Sequence, residues 1–341
     1  MPPPASSWRI PTTVPTIGSA AIVVAVADSV FPNLDPATKV LSEIGAELKL
    51  AADSSPESVM KLAADADAVL VTYAKINADM IRQMKKVRII SRFGIGVDNV
   101  DLDAATRQGI VVTKVPDYCI DEVSDHAMAL LLAAVRKIPM GTDQVHAGTW
   151  KMPNFVPIHR LRGSVLGLVG FGRIPQLVAP KAKAFGMRVV AFDPYAPADV
   201  FSNLGVEKVD LDELLKISDY VSIHSPLTPE TKGMFNADAF RKMKKGSYVV
   251  NTARGPIIDE AALAAAIDSG HIAGAGLDVM TTEPPTGSPL IGKRNVIITP
   301  HTSFYSEESL VELQTKAAQE VANVLTGKAA RNPVNQVAAT K

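Results

Sequence analysis

The sequence is poor in cysteine and has no excess of charge of either sign. Its one cysteine, Cys119, cannot form an internal disulfide, and no Cys/His cluster has the spacing of a zinc site. These absences favour a reducing, cytoplasmic compartment and a fold without a metal. We interpret Cys119 as a buried structural residue, because no motif places a histidine beside it.

A net charge and long apolar runs are also missing. Because 35 Lys and Arg balance 35 Asp and Glu, no global field would attract a nucleic acid, and no nucleic-acid partner is expected. The longest apolar runs, residues 20–27 and 127–135, are too short to span a bilayer, so no membrane partner is expected either. A hydrophobic fraction of 47% in 341 residues is enough for two domains with buried cores.

The two ends differ from the rest of the chain. The first fifteen residues contain five prolines and a single charge, which predicts a flexible leader over residues 1–18. Polar and small residues also fill the segment 331–341, where order is expected to fade.

Between the ends, short Val/Ile/Ala-rich runs alternate with segments of helical period. Residues 21–115 predict one parallel sheet, and residues 164–299 predict a second, six-stranded one. The apolar face of residues 121–137 predicts a long connecting helix, and a last helix over residues 307–325 is expected to pack on the first domain. The predicted fold is therefore α/β, with two doubly wound parallel-sheet domains.

A glycine motif opens the second sheet. A predicted strand leads into Gly170 and Gly172, a helix follows, and the next strand ends at Asp193. This layout is typical of dinucleotide binding: the glycines admit the pyrophosphate and the acid accepts ribose hydroxyls. The carboxylate favours NAD over NADP. Proline replaces the third glycine at Pro175, and Pro180 predicts a kinked or shortened cofactor helix.

Three later strands end in groups suited to a 2-oxo acid. They lead into Asn251–Gly255, into Gly276–Asp278 followed by Glu283, and into Thr299–His301. Arg254 is a planar cation that can hold a carboxylate and polarise a carbonyl, and His301 can donate a proton near neutral pH. Parallel strands present their carboxyl ends at one edge, so these groups are expected to converge beside the cofactor.

These motifs resemble those of the D-isomer-specific 2-hydroxyacid dehydrogenases, a family that includes glycerate, phosphoglycerate and lactate dehydrogenases. The resemblance covers about residues 20–335. It implies a flavodoxin-like substrate domain, residues 19–117 plus 306–335, and a Rossmann NAD-binding domain inserted at 118–305. It also implies a homodimer, with the helix after Asp121 and the loop holding Trp150 and Phe155 near the interface.

The resemblance further implies roles for individual residues. Arg254 binds substrate, and Glu283 pairs with the acid–base His301, which makes these three the expected catalytic residues. Substrate binding is expected at Tyr73, Ala74, Ile95, Gly96 and Arg254. The expected NAD-binding residues are Gly170, Gly172, Arg173, Ile174, Asp193, Ser225, Pro226, Thr252, Ala253, Asp278 and His301.

The implied activity is NAD-dependent reduction of a 2-oxo acid such as glyoxylate or hydroxypyruvate. Glutamate at position 283, where the related formate dehydrogenases have glutamine, disfavours formate. The segment Thr72–Lys75 has no arginine to bind a phosphate, which disfavours 3-phosphoglycerate. An alternative is open: Pro300–Glu307, with its aromatic Phe304, also resembles the C-terminal-binding-protein corepressors, NAD-dependent dimers that bind peptides. The histidines outside the motifs, His126, His146, His159 and His271, are interpreted as surface or packing groups.

Overall fold

A computed structural model describes residues 21–337 and divides the chain into two compact units. Among the described residues, unit 1 comprises 21–115 and 314–337, and unit 2 comprises Pro116–Leu313. The predicted leader, residues 1–18, lies outside the described residues.

Unit 1 contains a five-stranded parallel sheet in the order β2-β1-β3-β4-β5. The central strand β3 is buried along its whole length, as expected of a parallel strand that helices cover on both faces. The strands are β1 Ile22–Val26, β2 Ala46–Leu50, β3 Ala68–Val71, β4 Ile89–Arg92 and β5 Val111–Thr113.

Three helices of unit 1 begin at side-chain caps. Ser55, Asn77 and Asp101 each accept a hydrogen bond from a backbone N–H of the first turn. The last helix of the chain begins in unit 2, and within unit 1 its Ala317 carbonyl accepts a hydrogen bond from Ser91 Oγ at 3.1 Å. The helices are α1 Asp35–Ser42, α2 Pro56–Ala63, α3 Ala78–Gln83, α4 Leu102–Gln108 and the last helix, α12, Glu307–Leu325.

Unit 2 contains a seven-stranded parallel sheet in the order β12-β11-β10-β9-β6-β7-β8. The order reverses between β6 and β9, and ligands of such sheets bind beyond the carboxyl ends at this switch point. The prediction of six strands was wrong, because the sheet has a seventh strand, β8. This is a two-residue edge strand whose exposed side chains carry no hydrophobic pattern. The strands are β6 Val165–Val169, β7 Arg188–Phe192, β8 Glu207–Lys208, β9 Tyr220–Ile223, β10 Ser247–Asn251, β11 Ile272–Leu277 and β12 Val296–Ile298.

Two apolar clusters form the core of unit 2. On one side the long helix α5 packs against the sheet so closely that a Cβ built on Gly276 would lie 2.9 Å from Leu130 Cβ. The helices of the unit are α5 Ile120–Val135, α6 Ile138–His146, α7 Arg173–Ala184, α8 Ala198–Asn203, α9 Leu211–Ile217, α10 Ala237–Lys242 and α11 Glu260–Asp268.

Helix α7 follows the glycine motif and contains both prolines. Pro175 occupies the first turn, where a backbone N–H has no intrahelical acceptor. The helix is not shortened at Pro180, because it continues through this residue to Ala184. Pro180 is exposed, and its free-energy cost is that of the backbone hydrogen bond that proline cannot donate.

We therefore expect Pro180→Ala to raise the free energy of unfolding by about 1–3 kcal/mol, since it restores an N–H inside the helix. Urea unfolding of the variant and the parent measures this difference. An unchanged or lower unfolding free energy would show that α7 already accommodates the proline at no cost.

Candidate active site

The predicted cofactor and catalytic residues of unit 2 all follow the carboxyl ends of its strands. Gly170 and Gly172 follow β6, Asp193 follows β7, and the pair Ser225 and Pro226 follows β9. Thr252, Ala253 and Arg254 follow β10, Asp278 follows β11 and His301 follows β12. Arg173 and Ile174 form the first turn of α7. The parallel sheet thus brings these loops to one edge.

The two glycines of the loop after β6 have different local requirements. Gly170 has a φ of +89°, and a Cβ built on it would lie 2.9 Å from the backbone nitrogen of Ser225. Glycine is therefore required there for the turn itself. Gly172 has a φ of −74°, and among residues 21–337 no neighbouring atom lies within 4 Å of its built Cβ. No packing within the described chain demands glycine at 172, which fits close approach by a ligand.

The carboxylate of Asp193 binds the same loop. Its Oδ2 accepts a hydrogen bond from Phe171 N at 2.8 Å, while Oδ1 accepts from Tyr195 N at 2.8 Å and Ala196 N at 3.0 Å. A carboxylate has about four lone-pair sites, so three backbone bonds leave capacity for one more donor. Asp193 thus joins the ends of β6 and β7, and its predicted bond to ribose hydroxyls stays a prediction.

The turn after β10 contains a buried hydroxyl that has no hydrogen-bond partner among the described residues, that of Thr252. The side chain of Asn251 fixes this turn, because its Oδ1 accepts from Ala253 N at 2.9 Å and its Nδ2 donates to the Arg254 carbonyl at 2.9 Å. A buried hydroxyl without a partner costs about 1–3 kcal/mol. Thr252 and the open space at Gly172 both fit a polar cofactor at this edge.

His301 and Glu283 form the central contact of the site. His301 Nδ1 lies 2.8 Å from Glu283 Oε2. Because an ionised carboxylate only accepts, Nδ1 donates and the exchangeable proton is assigned to Nε2. Burial opposes ionisation of Glu283. However, the hydrogen bond and charge of His301, the N–H of Met280 and the charge of Arg254 outweigh it and hold the pKa of Glu283 below its ordinary value.

The turn that carries His301 is organised by Asp278. This carboxylate, 1% exposed, accepts hydrogen bonds from Thr299 Oγ1 at 2.6 Å and from Thr302 N and Ser303 N at 2.9 Å each. Its own carbonyl accepts from His301 N at 2.8 Å. His301 has a φ of 53°, unusual for a residue other than glycine, and this network stabilises that conformation. Asp278, predicted as a cofactor residue, also shapes the histidine turn.

Two histidines that the motifs did not assign also lie at this edge. His126 on α5 places Nε2 2.9 Å from Thr299 Oγ1. Since that hydroxyl donates to Asp278, His126 must donate to it. His224, after β9, lies 2.8 Å from Ser222 Oγ, and burial lowers its pKa to about 3. Sequence patterns could not find His126, because the contact joins residues 173 positions apart.

The predicted substrate residues Tyr73, Ala74, Ile95 and Gly96 lie in unit 1, after β3 and β4. Asp28 fixes the first pair, since its carboxylate accepts from Thr72 N at 2.8 Å and Tyr73 N at 2.7 Å. Arg92 is only 7% exposed, and its Cζ lies 5.9 Å from the Tyr73 ring centre. Arg92 stands three residues before Ile95, but no sequence pattern assigns it a role.

The part of the chain that the structure describes has no membrane-spanning helix and no cluster of metal ligands. None of its helices is long and apolar enough to cross a membrane. Within residues 21–337, no group of three or more His, Cys, Asp or Glu side chains is placed to hold a metal ion.

Comparison with known proteins identifies the family. Residues 128–303 match the model described as "D-isomer specific 2-hydroxyacid dehydrogenase, NAD binding domain". The chain belongs to this family. Its cofactor is NAD, and the expected α/β fold with two parallel sheets is confirmed. The corepressor alternative is not supported by these comparisons.

Similar proteins include enzymes of two kinds. A D-3-phosphoglycerate dehydrogenase of Methanocaldococcus jannaschii is 41% identical over 306 residues, which are 89% of this chain and 58% of that protein. This chain thus spans little more than half of that relative. A crystal structure of D-lactate dehydrogenase from Aquifex aeolicus complexed with NAD and lactic acid is 30% identical, with a TM-score of 0.84 over 93% of this chain and 100% of that one. The crystal structure of a Thermus thermophilus protein is 36% identical, with a TM-score of 0.84, over 92% and 100%.

The contrast between the two glycines gives a test of the cofactor loop. Gly172→Ala should leave the melting temperature near that of the parent, because the added methyl enters open space. It should weaken NADH binding by about tenfold or more, because the methyl would occupy the approach of the pyrophosphate. Thermal melting and fluorescence titration with NADH measure both effects. Unchanged NADH affinity would mean that the pyrophosphate lies elsewhere.

Proposed function

We propose that this protein interconverts 2-oxo acids and D-2-hydroxy acids, with Arg254, Glu283 and His301 as its catalytic residues. The observation that carries the proposal is the 2.8 Å contact between His301 and Glu283, close enough to Arg254 for the arginine charge to lower the pKa of Glu283. When bound, the nicotinamide donates or accepts the hydride. The cofactor loop of unit 2 supports its binding at Gly170, Gly172, Asp193 and Thr252.

Each member of the trio has a distinct task. The guanidinium of Arg254 binds the substrate carboxylate and polarises the neighbouring carbonyl. His301 donates the proton on Nε2 to the alkoxide that forms during reduction and removes it during oxidation. Glu283 stays ionised at neutral pH, because its pKa is lowered, and it stabilises the protonated ring while fixing its orientation.

Substrate-binding residues are also proposed within unit 1. Backbone N–H groups of Ile95 and Gly96 would meet the substrate carboxylate, and Tyr73 and Ala74 would contact the substrate. The fixed bonds from Asp28 to Thr72 and Tyr73 support a preorganised strand end at this position.

The identity of the 2-oxo acid has two candidates. The absence of an arginine from Thr72–Lys75 favours an unphosphorylated substrate such as glyoxylate or hydroxypyruvate. The relatives named D-3-phosphoglycerate dehydrogenase favour a phosphorylated substrate, and Arg92 beside Tyr73 supplies a cation that Thr72–Lys75 lacks. Absorbance assays with NADH and glyoxylate, hydroxypyruvate or pyruvate, and with NAD and 3-phosphoglycerate, distinguish them. If the protein turns over none of these substrates, the proposed function is wrong.

Arg254→Lys tests the substrate anchor. Lysine keeps the positive charge but loses the planar fork, so kcat/KM for the best 2-oxo acid should fall by about 100-fold or more. NADH affinity should stay near that of the parent, because the change concerns the substrate. Steady-state kinetics and NADH titration measure the two effects. A lysine variant as active as the parent would exclude bidentate binding by Arg254.

Glu283→Gln tests the acid–base pair. The substitution removes the charge but little volume, so the protonated ring of His301 loses its ionic partner. The alkaline limb of reduction and the acid limb of oxidation should therefore both move to lower pH. Full pH profiles of kcat in both directions measure this movement. If both limbs stayed in place, another group would carry the proton.

We also propose a homodimer formed through unit 2. Helix α6 has no buried residue, and a continuous stretch of the chain exposes large apolar side chains. Their exposed fractions are 57% for Ile138, 49% for Val145, 87% for Trp150, 74% for Met152 and 65% for Val156. Such a concentration is typical of an interface between copies.

The double variant Trp150→Asp/Met152→Asp should be monomeric, because two charges would have to be buried at the interface. The matched control is Ile291→Asp, at an apolar residue 54% exposed outside this surface. Analytical ultracentrifugation of both variants and the parent measures the mass. A monomeric parent, or a dimeric double variant, would exclude this interface.

A further inference from the structure

Glu260 lies outside the motifs used above, yet both of its carboxylate oxygens hold the loop that contains Glu283. We propose that Glu260 is a positioning residue for Glu283 and thereby for the His301–Glu283 pair. This inference rests on the proposed function. It concerns a residue that contacts neither the proposed substrate site nor His301 in the described contacts.

The carboxylate of Glu260 bridges two points of one loop. Oε1 accepts a hydrogen bond from Thr281 N at 2.6 Å, and Oε2 accepts from Ser288 Oγ at 2.5 Å. Glu283 lies between these two points. One side chain therefore closes the loop on both sides of the residue that orients His301.

Few other bonds order the part of the loop around Glu283. Residues 281–284 are exposed, and no helix or strand forms between Met280 and Leu290. Glu283 Oε1 accepts from Met280 N at 3.1 Å, and Thr286 N donates to the Pro284 carbonyl at 2.9 Å. Farther along the loop, Ser288 N donates to the Pro285 carbonyl at 3.3 Å, and Leu290 is buried in the core. An exposed loop with so few bonds opens at low free energy unless it is tied to a rigid element. Glu260, in the first turn of α11, supplies that element.

The same segment of chain also carries Arg254. A Cβ built on Gly255 would lie 2.0 Å from the carbonyl carbon of Met280, so the two backbones are in direct contact. The segment Arg254–Glu260 therefore contacts the loop at two places. Gly255 packs against Met280, and Glu260 accepts hydrogen bonds from Thr281 and Ser288. This arrangement fixes Glu283 relative to Arg254, and a displacement of about 1 Å at a reacting group can reduce turnover about 100-fold.

The chemistry of the two bonds predicts which substitutions break them. Glutamine at 260 retains an oxygen for Thr281 N and presents an amide N–H to Ser288 Oγ, which can accept as well as donate. Alanine removes both contacts. The two hydrogen bonds depend on the shape of the side chain and not on its charge. Glu260→Gln should therefore keep the two loop contacts that Glu260→Ala loses.

The kinetic test compares Glu260→Ala, Glu260→Gln and the control Asp268→Asn. Asp268 lies at the other end of α11 and pairs with Lys293 at 2.5 Å. Glu260→Ala should lower kcat for 2-oxo acid reduction by about 10- to 100-fold and move the alkaline limb to lower pH, as in Glu283→Gln. NADH affinity should not change. Glu260→Gln and Asp268→Asn should resemble the parent in kcat and in the position of the alkaline limb.

A double variant separates positioning from general stability. If Glu260 acts through Glu283, then Glu260→Ala/Glu283→Gln should be no slower than Glu283→Gln alone. Losses that multiply, or a Glu260→Ala pH profile identical to that of the parent, would overturn the inference. Should Glu260→Ala fail to fold, Ser288→Ala removes one of the two contacts and should show the same pH movement to a smaller extent.

Hydrogen exchange tests the loop independently of turnover. Exchange in a peptide covering residues 280–290 should be about tenfold faster in Glu260→Ala than in Glu260→Gln or the parent. Equal exchange rates would overturn the inference even if the enzyme reduces 2-oxo acids. A parent that reduces none of them, but whose loop exchanges faster in Glu260→Ala, would contradict the proposed function and leave the loop contact established.

Discussion

The buried carboxylate of Asp278 is the contact on which the arrangement of the site depends most. It directly follows β11 and accepts three hydrogen bonds from the turn after β12, so it joins the ends of these two neighbouring strands. The φ of 53° at His301 is held by this turn, and the 2.8 Å contact with Glu283 follows from it. At another strand end of the same edge, Asp193 links the loop after β6 to the end of β7.

Much of this could be predicted from the sequence because it follows from local pattern. Alternating strand and helix periods predicted the two parallel sheets, and the spacing from Gly170 to Asp193 predicted a dinucleotide-binding motif. The edge strand β8 was missed because two exposed residues have no period to detect. The predicted shortening of α7 did not occur, and the helix continues through Pro180 to Ala184.

The contacts that sequence could not supply are those between distant side chains. The bond from His126 to Thr299 joins α5 to the end of β12, and Glu260 reaches residues 21 and 28 positions away. Arg92 was visible in the sequence, but its position beside Tyr73 depends on how β3 and β4 pair. Such contacts are set by the fold, and only coordinates reveal them.

The contacts of the segment Arg254–Glu260 with the loop that contains Glu283 have a mechanical consequence. The proposed substrate anchor and the proposed partner of the acid–base histidine are attached to the same short piece of backbone. A thermal displacement of α11 would therefore carry both groups in the same direction and leave the distance between them almost unchanged. The distance between Arg254 and Glu283 is maintained because both are attached to the same segment, and it does not require all of unit 2 to be rigid.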